Sequence, residues 1–298
     1  MAERGKVEWP TWGLLGLTYL TWAVATTWAA AFWLPLGMVL VTLSAALHSS
    51  LTHEALHGHP TRKAWLNEAL VFPALSLCVP YRRFRDTHIA HHRDENITDP
   101  YDDPETNYLD PEVWAVQPRW AKAVLRLNNT LFGRLLIGPV IGQVFFMRAD
   151  WRLARKGARR VVNGWLWHLP ALGLVVWWMA ALGQMPVWAF LLASYAAHSI
   201  LKIRTYLEHR AHEAADGRTV LIEDRGLLAL LFLNNNLHVV HHAYPKLEWY
   251  ALPQKTREER EAFLARNDDY YYRSYAQVFR RYFWRGKDPV PHPLFSRR

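Results

Sequence analysis

Two long stretches without a single charged residue constrain this chain more than any other feature. No Asp, Glu, Lys or Arg occurs from Trp9 to His53, and none from Val161 to Leu201. Each stretch is about twice the ~20 residues that a helix needs to cross a bilayer, so each reads as two spanning helices joined by a tight turn. The turns are expected near Trp33-Leu34-Pro35 and Gly183-Gln184-Met185-Pro186, where Pro and Gly interrupt the helical pattern. This segregation is hidden in a mean hydropathy of −0.13. The predicted spans cover about residues 12–33, 36–57, 163–183 and 186–206, with polar segments at about 58–160 and 207–298. The expected fold class is an all-α integral membrane protein. Four transmembrane helices in two hairpins and a helical cytoplasmic cap form a single domain over residues 1–298.

Flanking charge sets the orientation. Arg4 and Lys6 precede the first hairpin, and Arg62 and Lys63 follow it. Arg148, Arg152, Arg155, Lys156, Arg159 and Arg160 precede the second, with Lys202 and Arg204 at its end. Basic residues stay on the cytoplasmic side, so both termini and both polar segments are expected there, at the inner membrane if the source is bacterial. Trp12, Trp33, Trp165 and Trp188 sit near span ends, as an interfacial aromatic belt requires. The net charge of +9 is concentrated beside the spans, where anionic lipid headgroups are the simplest partner. No groove-reading motif accompanies it, and no nucleic-acid partner is expected. A cleaved signal peptide ending near Ala29-Ala30-Ala31 is disfavoured. Glu3 and Glu8 occupy the would-be basic region, and cleavage would leave the remaining spans with mismatched topology. Cys78 is the only cysteine, which excludes an internal disulfide, a zinc ribbon and a cysteine-held iron–sulfur cluster.

Shorter features punctuate the polar segments. Ala69 to Tyr81 is uncharged but broken by Pro73 and Pro80, and it is too short to span. It reads as a re-entrant or interfacial helix, as does Leu135 to Met147 with its Gly138, Pro139 and Gly142. Asp94 to Pro111 is dense in Asp, Asn and Pro and reads as ordered turns. Thr256 to Arg285 alternates charged and aromatic residues and is expected to form an amphipathic helical lid on the membrane surface.

The chemistry lies in three histidine clusters: His53 and His57; His88, His91 and His92; His238, His241 and His242. Each pairs imidazoles at i and i+3 or i+4, which places them on one helix face. All fall at the same predicted membrane face, and His209 follows the last span there. These nine histidines make a candidate multi-metal site, because imidazole suits iron, copper, zinc and nickel. His168 and His198 read as hydrogen-bonded packing residues, and His292 reads as solvated near a Pro-rich tail. His48, His198 and His212 stay open as replacements for one of the nine, and His59 flanks the first cluster. Candidates to fix the imidazole tautomers are the nearby Glu54, Asp94, Asp99 and Glu208. In Asn234-Asn235-Asn236, helix capping is the favoured role, with Asn236 a candidate to orient a ligand water.

HxxxH, HxxHH and HxxHH in this order, separated by hydrophobic hairpins, resemble the histidine boxes of the membrane fatty acid desaturase superfamily, which includes lipid hydroxylases and carotenoid ketolases. Asp99-Pro100 resembles its acidic loop. Arg204-Thr205-Tyr206-Leu207-Glu208-His209-Arg210 resembles the stretch with its extra histidine ligand. His241-His242-Ala243-Tyr244-Pro245 with Glu248-Trp249-Tyr250-Ala251-Leu252-Pro253 resembles its third-box context. The resemblance covers about Leu14 to Pro253. It implies a di-iron centre (Fe2+/Fe3+), O2 as co-substrate, and a fatty acyl lipid or similar hydrophobic substrate oxidised at an unactivated C–H bond. Desaturation is the first expectation, with hydroxylation or ketolation the alternative. No cytochrome b5-type haem domain is fused here, so electrons are expected from a separate carrier such as a ferredoxin, rubredoxin or cytochrome b5-type protein.

His53-Glu54-Ala55-Leu56-His57 also satisfies HExxH, the signature of zinc peptidases with Glu as base. A hydrolytic zinc needs three protein ligands, so that reading leaves two HxxHH clusters unexplained. A metal transporter would place ligands near mid-membrane, whereas these lie at the ends of the predicted spans.

Overall fold

The computed structural model describes residues 7–92 and 97–296. Glu3, Arg4, Lys6 and the candidate acceptor Asp94 lie outside the described residues. In chain order the first helices are α1 (Trp9–Val24), a π-helical turn (Ala25–Ala29), α2 (Ala30–Phe32), α3 (Leu34–His57), α4 (Ala64–Leu70) and α5 (Tyr81–His91). There follow α6 (Pro111–Ala115), α7 (Arg119–Asn128), α8 (Leu131–Leu136), α9 (Gly138–Arg155), α10 (Arg159–Ala181) and α11 (Val187–Thr205). The C-terminal third holds β1 (Leu221–Ile222), α12 (Leu227–Leu231), α13 (His238–Ala243), α14 (Leu252–Glu258), α15 (Arg260–Arg266), β2 (Tyr271–Tyr272) and α16 (Tyr275–Tyr282). The chain divides into two compact units, Met1–Arg85 with Met147–His198, and Asp86–Phe146 with Ser199–Arg298.

Within the first unit, among the described residues, three helices are long and apolar enough to cross a membrane: Trp9–Phe32, Leu34–His57 and Arg159–Ala181. They expose Trp28, Phe32, Leu169 and Trp177 to their surroundings, as a lipid-facing surface would. α11, the expected fourth span, is not among them. It is 19 residues long and carries Ser194, Tyr195, His198, Lys202 and Arg204. The first hairpin turns at Trp33, whose extended backbone (φ −157°) interrupts the helix before Pro35 restarts it. Gly58, in the left-handed conformation at φ 107°, ends α3, and its N–H bonds back to Ala55 O.

The uncharged run of the first hairpin carries no signal for its π turn at Ala25–Ala29. Such a turn misaligns the backbone ladder and leaves polar groups to be satisfied elsewhere. Thr26 and Thr27 hydroxyls donate to Trp22 O and Ala23 O, and Thr26 O accepts from Gln184 N at 2.8 Å. Trp178 Nε1 donates to Thr26 Oγ1 at 3.0 Å, so this one turn ties the two hairpins together. A Cβ on Gly37 would lie 2.8 Å from Ala25 O, so only glycine lets α3 approach there.

The expected helix over 69–81 does not form. α4 ends at Leu70, and Pro73, Pro80 and a left-handed Leu77 (φ 68°) hold an irregular segment. Its carbonyls are satisfied from within the unit: His198 Nε2 bonds Ser76 O at 2.9 Å, and His168 Nε2 bonds Leu77 O at 2.7 Å. Irregular backbone beside apolar helices persists only when protein groups pair with it in this way. A second buried polar knot joins α5, α9 and α10. Arg83 meets Asp150 through two bonds of 2.9 and 2.8 Å, and Trp165 Nε1 donates to Asp150 Oδ2 at 2.8 Å.

The second unit has a tyrosine-rich core of Tyr206, Tyr270, Tyr272, Tyr275 and Tyr282 around Leu131, Val220, Ile222, Phe232 and Val278. Four of its hydroxyls are paired: Tyr206 to Asn129 O, Tyr270 to Leu207 O, and Tyr272 with Tyr282. Within Thr256 to Arg285, Phe263, Tyr270, Tyr272, Tyr275 and Tyr282 therefore face inward, whereas Trp284 is exposed. That segment is α14 to α16 with a strand, not one surface helix, because Asp268 and Asp269 take left-handed φ of 52° and 49°. β1 and β2 pair in parallel, Leu221 against Tyr271, a small departure from an all-α fold. Residues 135–147 are likewise split at Ile137 between α8 and α9, where Val140, Val144 and Phe145 are exposed.

Candidate metal centre

In the second unit the chain brings histidines from three places to one point. α5 presents His88 and His91, and His92 follows at its last turn, where His92 N bonds His88 O. α13 presents His238, His241 and His242 one helical turn apart. His209 comes from the extended segment beyond α11, held by a bridge to Thr219 and by Lys287 Nζ donating to its carbonyl. His91, His209, His238 and His242 offer ligand atoms all within 4.8 Å of one another, as do His88, His92 and His241.

The nitrogen geometry could hold a metal ion. His91 Nε2 lies 2.9 Å from His209 Nε2, which lies 3.1 Å from His238 Nε2, itself 3.1 Å from His242 Nε2. In the other group His92 Nε2 lies 3.0 Å from His88 Nε2 and 3.1 Å from His241 Nε2. Meanwhile the Nδ1 atoms of His91, His88 and His238 face Asp103 Oδ1 at 2.9 Å, Glu105 Oε1 at 2.9 Å and Asn235 Oδ1 at 3.2 Å. Acceptors at Nδ1 favour a proton there, so that each ring in its neutral form offers the Nε2 lone pair. Converging lone pairs repel at such distances unless a cation sits among them. The residues thus fit bound metal ions, with an all-imidazole donor set suited to iron among other transition metals.

Electrostatics agree. Burial, reinforced by the neighbouring imidazoles, pushes the pKa of His92 down to about 3 and those of His209, His238 and His242 well below the ordinary range. These four are neutral at pH 7, the form that ligates. Burial also opposes charge on His91, but Glu105 and Asp103 outweigh it and hold its pKa up at about 9. Burial raises Glu208 despite its partner Arg204, whose Nε is 3.0 Å from Glu208 Oε1.

Asp103, Glu105 and Asn235, none of them singled out by proximity in sequence, are the acceptors that face these ring nitrogens. Asp103 also accepts from Thr98 N and Glu105 N at 2.8 Å each, so one carboxylate closes the loop and pins His91. The Asp103-Pro104-Glu105 turn was the available signal. Asp99 instead accepts from Tyr101 N and Asp102 N within its own turn. Asn236 donates to Ile222 O at 2.6 Å, and Asn234 to Trp249 O. None of the three asparagines caps α13, whose N-terminus has no side-chain cap. Glu208 accepts from Asn235 Nδ2 at 3.3 Å, and so braces His238 at one remove. His212 turns away, bonding Ala214 O and Asp268. His292 is not solvated: it is buried, with Nε2 3.1 Å from Thr98 Oγ1 and its ring edge-on to Tyr108.

In the first unit His53 and His57 sit on successive turns of α3 with ring centroids 4.8 Å apart. Glu54 is buried, with Oε1 3.6 Å from His53 Nδ1. His48 bonds Tyr19 OH at 3.2 Å and His59 bonds Glu8 at 2.8 Å.

A mostly helical protein with helices fit to span a membrane and buried histidine clusters fit to hold metal ions belongs to the class of membrane metalloproteins. The sequence model of the fatty acid desaturase family matches residues 26–275, most of the chain, and the protein belongs to that family. Membership makes it a membrane-bound oxidoreductase of a kind known for di-iron sites and lipid substrates. A search of curated proteins finds no match.

Proposed function

We propose that this protein uses O2 to oxidise an unactivated C–H bond in a fatty acyl lipid or similar hydrophobic chain, with desaturation the foremost outcome. Two irons would be held by His53, His57, His88, His91, His92, His209, His238, His241 and His242. Electrons come from a separate carrier. Four spans, with α11 the fourth, place both termini and the metal site on the cytoplasmic side.

The observation that carries this reading is the convergence of bare Nε2 atoms with Nδ1 held by Asp103, Glu105 and Asn235, in a chain of this family. Bound iron supplies oxygen activation and the oxidising power for the C–H bond. The chain's own residues perform the rest. Asp103 and Glu105 keep His91 and His88 in the tautomer that offers Nε2. Asn235, braced by Glu208 and Arg204, does the same for His238. His91, whose pKa its neighbouring carboxylates hold up, would have to give up a proton to serve as a ligand. Burial of the cluster keeps water from competing for the ligands and from quenching the oxidant. Substrate placement to about an ångström decides between alkene and alcohol products.

The test is elemental analysis of detergent-purified protein expressed with iron, followed by mass spectrometry of host lipids. About two irons per chain and new unsaturated acyl products are expected by this reading. One zinc and no iron would revive the HExxH hydrolase; hydroxylated products would move the assignment to a hydroxylase.

A further inference from the structure

A surface in the second unit has no part in the metal centre. α7 divides into three sectors when its residues are spaced at ~100° each. Ala121 and Asn128 are buried against the unit. Trp120, Val124 and Leu127 share a ~60° arc and are exposed, Trp120 by 71%. Arg119, Lys122 and Arg126 share another ~60° arc. The helix contains no acidic residue, and among the described residues none of the three cations forms an ion pair. Lys122 and Arg126 instead lie over the Trp114 ring of α6, at 5.7 and 5.5 Å. Val116, just before α7, is 80% exposed.

We propose that α7 lies flat in the membrane interface, with Trp120, Val124 and Leu127 in the acyl boundary and Arg119, Lys122 and Arg126 on anionic lipid headgroups. Lys122 Nζ also donates to Ala115 O at 2.7 Å. An uncovered Trp-Val-Leu stripe beside cations that lack carboxylate partners is the composition of an interfacial helix. Exposing that stripe to water is unfavourable, and a leaflet removes the exposure along the full helix length. The cation row supplies the charge complement, attractive to a negative leaflet and screened by salt. An acidic redox carrier would fit the cations, but weak redox encounters bury little surface, whereas the apolar stripe runs most of the helix length beside the cations. The surface therefore selects lipid.

Site-directed spin labelling of the full chain tests this. In a Cys78→Ser background, Trp120→Cys, Val124→Cys, Leu127→Cys, Arg119→Cys and Arg126→Cys are labelled singly. The protein is reconstituted in nanodiscs containing phosphatidylglycerol or phosphatidylcholine alone. Collision rates are measured with O2, which concentrates in lipid, and with a water-soluble nickel chelate. The expected ratio of O2 to nickel collisions is several-fold higher at 120, 124 and 127 than at 119 and 126. Arg119→Gln, Lys122→Gln and Arg126→Gln together should lower the ratio at 124 in phosphatidylglycerol and leave it unchanged in phosphatidylcholine. The labels at 124 and 127 carry the apolar face if Trp120→Cys fails to fold. Nickel-dominated collisions at all apolar positions would overturn the proposal. So would equal ratios in the two lipids before and after charge removal, or shielding that appears only when an acidic electron carrier is added.

Discussion

Replacing Asp103 by Asn changes one oxygen of a buried carboxylate to NH2, and the surroundings determine what that costs. Oδ1 receives His91 Nδ1 at 2.9 Å and Glu105 N at 2.8 Å, while Oδ2 receives Thr98 N at 2.8 Å. The better rotamer keeps the amide oxygen on the two donors and turns NH2 toward Thr98 N–H. One buried donor then faces another, which costs about 1–3 kcal/mol of stability. The lost charge also weakens the basicity of His91. Groups that orient metal-bound histidines are worth about 10–100-fold in metal affinity, or about 1.4–2.7 kcal/mol. The expected result is a lower melting temperature for the metal-free protein and iron affinity reduced by one to two orders of magnitude in a chelator competition. Asp99→Asn is the control, because Asp99 accepts from Tyr101 N and Asp102 N in its own turn and should leave iron affinity within about twofold. If Asp103→Asn holds iron as tightly as the parent while Asp99→Asn loosens it, the assignment of the orienting carboxylate is wrong.

Asn235→Ala frees His238 Nδ1 and should weaken iron retention about tenfold in the same competition. Asn236→Ala should lower the melting temperature without that loss, because it bonds Ile222 O instead. Arg83→Met strands the buried Asp150 carboxylate and should cost about 3–5 kcal/mol in chemical denaturation. Adding Asp150→Asn, which still accepts from Trp165 Nε1, should recover most of it. Glu54→Gln should keep both iron and lipid oxidation; total loss of turnover with metal retained would instead indicate a glutamate base.

The sequence by itself determined the elements whose rules are local. Bilayer thickness and the absence of charge located three membrane-length helices and both hairpin turns. Helix pitch made His88, His91 and His92, and again His238, His241 and His242, neighbours before any fold was known. Contacts across the fold could not be read so. Asp94 and Asp99 stand nearer the second box, yet Asp103 reaches His91 because the 98–103 turn folds it back. Asn235, not Asn236, meets His238, since left-handed Leu233 and Asn234 rotate the chain just before α13. His292 looks solvated beside its prolines until Thr98 and Tyr108 enclose it. The segment 69–81 looks helical until His168 and His198, about ninety and more than a hundred residues away, take its carbonyls. Helix formation and burial in lipid answer to nearest neighbours along the chain. Which acceptor pairs with which imidazole is set by loop closure and packing, and those depend on residues far apart in sequence.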